Sequence, residues 1–203
     1  ADAFNGDMGL STPIFTSSSG DCTGAQTRCR SAPTGNSPSP DDPEVSGQLL
    51  DLVTFYAHNL AVPMRRNADA PQVLQGRTTF NSIGCASCHR PSMRTGEVAD
   101  QPHLSKQTIW PYTDLLLHDM GDGLADNRPE GVASGREWRT APLWGIGLTQ
   151  TVSGHTFFLH DGRARNIEEA ILWHGGEAER ARAAYMALSK AEREALVAFV
   201  NSL

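Results

Sequence analysis

Two cysteines and a histidine in the stretch GCASCH constrain this chain more than any other feature of its sequence. Cys85 and Cys88 are separated by two residues, and His89 follows directly. A C-x-x-C pair can form a disulfide, bind zinc or an iron–sulfur cluster, or attach a haem, and each use requires different partners. The fold must therefore be organised around what these three side chains hold.

Three of these uses lack the partners they need. A structural zinc site takes four ligands, normally from a second C-x-x-C or an H-x-x-x-H, and the sequence contains neither. An iron–sulfur cluster also takes four ligands, and the other cysteines, Cys22 and Cys29, lie far earlier in the chain. A thioredoxin-like dithiol is expected within a βαβ unit, whereas the segments flanking GCASCH have helical patterns.

The remaining use is covalent c-type haem, whose mark is a histidine directly after the second cysteine. The thiols of Cys85 and Cys88 would each bond to one haem vinyl group, and His89 would bind the iron. We expect the other ring nitrogen of His89 to be held by a backbone carbonyl near Pro91, since ligating histidines usually donate to such a partner. A dithiol protein without haem is the alternative for this motif.

The ligand on the other side of the iron decides between functions. A strong sixth ligand suits electron transfer, while an open position admits peroxide or oxygen. The candidates by residue type are Met93, His103, His118, Met120, His155, His160 and His174. Residue type alone does not choose among them.

Composition excludes two classes of partner. The 203 residues carry a formal net charge of -6, whereas nucleic-acid binding needs a concentrated basic face. No run approaches the ~18 consecutive apolar residues that a membrane span requires. The sequence therefore predicts neither a nucleic-acid partner nor a membrane span.

The chain is predicted to consist of an irregular arm over residues 1–45 and a haem domain over residues 46–203. The arm is rich in Ser, Pro, Gly and Thr, which interrupt helices and strands. Within it, Cys22 and Cys29 are expected to form a disulfide in an oxidising compartment. Free thiols or pairing between chains are the alternatives.

The haem domain has mainly helical patterns. Helices are predicted to start near Ser46, Pro71, Asn166, Glu177 and Ser189. Residues 91–165 are rich in glycine and proline and are predicted to form long loops with a helical turn or short hairpin. A helix before the cysteines, irregular chain after them and a terminal helix able to cross the first one indicate a mainly α, cytochrome-c-like fold.

Several longer stretches resemble a known family. They are TDLLLHDMGDGLAD, GREWRTAPLWGIGLT and FLHDGRARNIEEAILWHGGEA, which follow GCASCH. Together they are similar to the C-terminal haem domain of bacterial di-haem oxidoreductases, also described as thiol oxidoreductases and related to di-haem cytochrome c peroxidases. The resemblance covers most of residues 47–203. The opening AFNGDMG resembles the family's linker after a preceding haem domain, which implies that this chain is the C-terminal half of a longer protein.

The resemblance also implies the sixth iron ligand. In the related peroxidases, the helix after H-D-G ends in a methionine that binds the C-terminal haem, and IEEAILWH places His174 at that position. This implies a bis-histidine haem held by His89 and His174, with Met120 as the alternative sixth ligand. A histidine in place of methionine removes a ligand that raises the reduction potential, and so favours ferric iron.

Two further site assignments follow from the resemblance. Arg139 is a candidate partner for a haem propionate, with a structural surface arginine as the alternative. The peroxidase relatives bind calcium near a threonine that Thr149 matches, but the proline after it is absent and QTVSGHT is inserted. The sequence thus departs from the calcium-binding pattern.

The function implied is that of a periplasmic redox enzyme. The haem of this chain would pass electrons to or from a second haem in an N-terminal domain, with a redox partner protein and a small oxidant such as peroxide as the other reactants. Catalysis would then belong to the full-length protein, and this chain would transfer electrons. A stand-alone electron-carrier cytochrome c without catalysis is the alternative.

Overall fold

The computed structural model describes residues 1–35 and 41–203. The chain separates into two compact units, Ala1–Ala61 and Val62–Leu203. Regular structure in the described ranges is mainly α-helical, which confirms the predicted class, and none of the helices there is both long and apolar enough to cross a membrane. The predicted division into residues 1–45 and 46–203 stays a prediction.

The first unit contains little regular structure before its last helix. It has a π-helical turn at Ala3–Asp7, helix α1 at Thr27–Arg30 and helix α2 at Gly47–His58. The hydroxyl of Ser46 accepts a hydrogen bond from the Leu49 amide at 3.3 Å and so caps α2 where the sequence predicts its start. Cys22 and Cys29 form a disulfide, as predicted.

The second unit contains five α-helices in the described residues. They are α3 at Pro71–Ser82, α4 at Thr149–Ser153, α5 at Ile167–Trp173, α6 at Glu179–Met186 and α7 at Lys190–Ser202. Pro71 occupies the first turn of α3, where its missing amide proton costs nothing. The Asn166 side chain caps α5 by accepting from the Glu169 amide at 2.8 Å, and Ser189 and Glu192 form a capping box on α7. The starts of α3, α5 and α7 were predicted from the sequence, whereas that of α4 was not.

Short turns and hairpins occupy most of the chain between α3 and α5. The 3₁₀ turns are Cys85–Ser87, Pro102–Leu104 and Ile146–Leu148, and a further one at Gly176–Ala178 precedes α6. Strand β1 at Met93–Arg94 pairs antiparallel with β2 at Thr108–Ile109, and β3 at Leu117–Asp119 pairs antiparallel with β4 at Glu137–Arg139. This agrees with the predicted long loops and short hairpins.

Helices α3 and α7 cross in close contact at Gly76. A Cβ atom on Gly76 would lie 1.9 Å from the carbonyl oxygen of Ala195 and 2.7 Å from Cβ of Phe199, so the crossing requires glycine. Phe199 packs edge-on against Phe80 and Tyr112, with ring centroids 5.2 and 5.7 Å apart. The core therefore lies between these two helices and the loop that contains Tyr112.

Replacing Gly76 by alanine should weaken this crossing. We expect Gly76→Ala to lower the free energy of unfolding by about 2 kcal/mol, because over-packing against backbone outweighs the roughly 1 kcal/mol that alanine gains in helix propensity. Denaturant unfolding followed by circular dichroism measures the change. Gly96→Ala is the matched control, since a Cβ there meets no atom within 4 Å; an equal loss in both variants would contradict the packing argument.

Candidate haem site

The cysteine motif lies directly after α3 in a tight turn. Gly84 adopts a left-handed conformation, with φ of 98°, and starts the 3₁₀ turn Cys85–Ser87. The His89 amide donates to the Cys85 carbonyl at 3.0 Å, which brings the histidine back over the turn. This local winding places Cys85, Cys88 and His89 together at the end of α3.

Both cysteines of the motif are free thiols that are partly withdrawn from water. Burial raises the pKa of Cys85 to about 11 and also raises that of Cys88, so both are protonated near neutral pH. Reactive dithiols depend instead on a lowered thiol pKa. The environment of the pair therefore does not favour the dithiol alternative.

The two predicted axial ligands lie close together, with their rings tilted relative to each other. The rings of His89 and His174 have centroids 6.4 Å apart and planes inclined at 48°. Nδ1 of His89 donates to the Tyr112 carbonyl at 3.1 Å, and Nδ1 of His174 donates to the Ala170 carbonyl at 2.7 Å. With Nδ1 protonated, Nε2 of each neutral ring keeps a lone pair that can bind a metal.

Burial keeps both rings in this neutral form. It lowers the pKa of His89 to about 4 and lowers that of His174 as well. Metal binding requires a deprotonated ring nitrogen. The two side chains are therefore ready to act as ligands at neutral pH.

The spacing of the two rings fits axial ligands of a single iron. Imidazole nitrogens bind metals at about 2 Å, and adding half a ring on each side brings two opposed centroids to roughly 6 Å apart. The observed 6.4 Å agrees with that sum. The donor set of two thiols and two neutral imidazoles thus fits a covalently attached haem.

The acceptor for His89 differs from the one expected. The sequence predicted a carbonyl near Pro91, but the carbonyl is that of Tyr112. Tyr112 is buried and holds a positive φ of 54°, a conformation uncommon outside glycine. The direction of the Tyr112 carbonyl depends on how the tyrosine ring packs in the core. No local sequence pattern predicts that packing.

The remaining predicted site residues stay predictions. Arg139 ends β4, opposite Leu117, with an exposed side chain. Met120 follows β3, and its carbonyl oxygen lies 2.9 Å from where a Cβ on Gly175 would stand, so its backbone is beside the turn after His174. Thr149 begins α4 and donates its hydroxyl to the Ile146 carbonyl at 2.7 Å. This hydrogen bond does not test the calcium assignment.

Sequence reasoning missed a charged cluster beside the site. His118, considered only as an iron ligand, pairs through Nε2 with Asp114 at 2.9 Å and through Nδ1 with Glu177 at 2.8 Å. Its Nδ1 is also 3.9 Å from the sulfur of Cys88. Glu177 is 59 residues away in the chain, so no sequence spacing could have predicted this pair.

This cluster is an ion-pair network rather than a metal site. The ligand atoms of Cys88, Asp114 and His118 lie within 4.8 Å of one another, a spacing that a metal ion could use. Both ring nitrogens of His118, however, already have a carboxylate partner. The hydrogen bond to Glu177, followed by the one to Asp114, raises the pKa of His118 and so favours the imidazolium.

The cluster makes stability depend on pH. Because the pKa of His118 is raised above 6.5, its contribution is complete below that value and is lost as the pH rises through the folded-state pKa. We expect the difference in unfolding free energy between the native chain and His118→Gln to shrink as the pH rises above 6.5. Urea unfolding at several pH values measures it.

His155→Gln serves as the control, because that ring stacks on Phe157 and has no carboxylate partner among the described residues. Its unfolding free energy should follow the native chain across the same range. A pH-independent difference for His118→Gln would refute the ionic interpretation.

The described fold and this donor set fit a haem-based redox protein. Residues 1–203 match the family model described as "Di-haem oxidoreductase, putative peroxidase". The chain belongs to this di-haem oxidoreductase family, which confirms the resemblance drawn from the sequence.

One solved structure is similar in fold. It is the hydrazine synthase of Kuenenia stuttgartiensis, studied under xenon pressure, with 20% identity and a TM-score of 0.50. The match covers 80% of this chain and 57% of that chain, so the present chain spans little more than half its length. No curated protein matches the sequence.

Proposed function

We propose that this chain is a cytochrome-c-like electron-transfer domain with one covalently attached haem. Cys85 and Cys88 hold the haem through thioethers, and His89 and His174 bind its iron from opposite faces. The domain passes electrons to or from a second haem domain of the same periplasmic protein. The whole protein then acts on a small oxidant such as peroxide.

The opposition of His89 and His174 is the observation that carries this proposal. Two neutral imidazoles with centroids 6.4 Å apart, beside two free thiols, match the needs of one haem iron. Among the described residues, His118 has both ring nitrogens engaged with carboxylates, so it is a poorer ligand. The His160 ring instead stacks on Trp138, with centroids 3.6 Å apart.

The surrounding chain acts on the two imidazoles in three ways. The carbonyls of Tyr112 and Ala170 orient the two imidazoles and keep their protons on Nδ1. Partial burial keeps both rings neutral. When bound, the haem supplies an iron that takes up and releases one electron.

Filling both axial positions suits electron transfer better than activation of an oxidant. The family is described as di-haem, whereas the 203 residues contain one C-x-x-C-H. These two observations support a second haem domain as the direct redox partner and as the place of catalysis. Covalent attachment of haem and the Cys22–Cys29 disulfide both suit an oxidising compartment such as the periplasm.

Covalent attachment can be tested by exporting the chain together with a c-type haem maturation system. We expect a haem-staining band that survives denaturation and a mass increase of one haem, both lost in the Cys85→Ser, Cys88→Ser double variant. The Cys22→Ser, Cys29→Ser double variant is the control, because that disulfide lies outside the motif. A purified chain that binds no haem under these conditions would refute the proposal and restore the dithiol alternative.

The sixth ligand can be tested by absorption and electron paramagnetic resonance spectra of the ferric chain. The native chain should show low-spin iron, and His174→Ala should convert most of it to high spin, because a strong nitrogen ligand is lost. Met120→Leu is the matched control and should leave the spectrum unchanged. Conversion by Met120→Leu but not by His174→Ala would assign the ligand to the methionine instead.

The place of catalysis is tested by comparing this chain with the full-length protein. Peroxide-dependent oxidation of a reduced donor should occur with the full-length protein and fall to background with the haem-loaded chain alone. Absence of turnover in both would favour the alternative of a plain electron carrier. Equal turnover in both would place catalysis in this chain.

A further inference from the structure

The turn that follows His174 is packed backbone against backbone onto β3. A Cβ on Gly176 would lie 2.1 Å from the Asp119 carbonyl oxygen, and one on Gly175 would lie 2.9 Å from that of Met120. Gly176 also holds a φ of 53°, which favours glycine. The two glycines therefore let the chain leaving His174 approach β3 more closely than other residues would.

Glu177 fastens this turn to β3 with both of its carboxylate oxygens. Oε1 accepts from the Asp119 amide at 3.0 Å, and Oε2 accepts from Nδ1 of His118 at 2.8 Å. Hydrogen bonds to a charged partner are stronger than neutral ones. The carboxylate thus holds the turn at a point three residues beyond the axial histidine.

His118 connects the same turn to the cysteine motif. Its Nε2 pairs at 2.9 Å with Asp114, whose side chain is only 7% exposed, and its Nδ1 lies 3.9 Å from the sulfur of Cys88. One imidazole therefore contacts both the segment after His174 and the segment before His89. His118 thus links the segment that contains His89 to the segment that contains His174.

The axial histidine needs such support because its helix stops before it. Helix α5 ends at Trp173, and His174 already has an extended ψ of 129°. Its ring is oriented by the Ala170 carbonyl within α5. The backbone after His174 has left the helix and contacts Asp119 and Met120 instead. Contacts after His174 therefore act together with α5 in placing its ring relative to His89.

We propose that Glu177, paired with His118 and the Asp119 amide, is a positioning residue that holds His174 opposite His89 as an iron ligand. It contacts no reacting atom and acts through the turn Gly175–Gly176. The inference rests on the proposed function, in which His174 is the sixth ligand.

The test is carbon monoxide binding to the reduced, haem-loaded chain, since the probe can bind only when the sixth ligand leaves. We expect Glu177→Ala to bind it about 10- to 100-fold faster than the native chain, as expected when a charged hydrogen bond is lost. Glu177→Gln, which keeps the shape but not the charge, should fall between the two. His174→Ala should be the fastest.

Two controls separate positioning from general loss of stability. Glu179→Ala removes a neighbouring acid that pairs with Arg182 on α6, and it should bind the probe at the native rate. Glu192→Ala removes the capping box of α7 and destabilises the fold at a distance from the turn. If Glu192→Ala accelerates binding as much as Glu177→Ala, the positioning role is overturned.

The haem-free chain provides an independent readout. Loss of the Glu177 carboxylate removes the acceptor of the Asp119 amide, so its hydrogen exchange should accelerate about 10-fold or more in Glu177→Ala. Unchanged exchange at the Asp119 amide would overturn the positioning role of Glu177.

The outcomes distinguish this inference from the proposed function. If the native chain binds carbon monoxide as fast as His174→Ala, then His174 is not the sixth ligand and the proposed ligand assignment fails. If the native chain is slow and Glu177→Ala is equally slow, the ligand assignment stands and the positioning role of Glu177 fails.

Discussion

The close approach of α3 and α7 at Gly76 is the constraint on which the rest of the second unit depends. With no Cβ at this position, α7 reaches the backbone of α3, and Phe199 packs between Phe80 and Tyr112. The Tyr112 ring is thereby held in the core, and its carbonyl accepts the Nδ1 proton of His89. Packing between two helices thus sets the orientation of a proposed metal ligand.

Histidines in this unit take two electrostatic forms according to their neighbours. His89 and His174 are partly buried, which keeps them neutral, and each donates Nδ1–H to a carbonyl, which leaves Nε2 available. His118 instead lies between two carboxylates, which favour its charged form. The same side chain type can therefore serve as a candidate ligand in one setting and as a partner in ion pairs in the other.

Helix starts were predicted well because their signals are local. Pro71 at a first turn, the Asn166 cap and the capping box of Ser189 with Glu192 each act within four residues, so a single sequence shows them. The two hairpins were predicted only as a possibility within long loops, and their pairing was not. Strands of two or three residues carry too little pattern to show a register such as His118 opposite Trp138.

By itself, the sequence determined the candidate cofactor, one set of attachment residues and the family, because C-x-x-C-H and the longer family motifs are contiguous in the chain. The family motif also implied His174 as the partner of His89, but only the tertiary structure gave the 6.4 Å between their rings. It alone decided that Tyr112 holds the ring of His89 and that Glu177 reaches His118. Each of these contacts joins residues far apart in sequence. Their geometry depends on how helices and loops pack, and no local residue pattern records that packing.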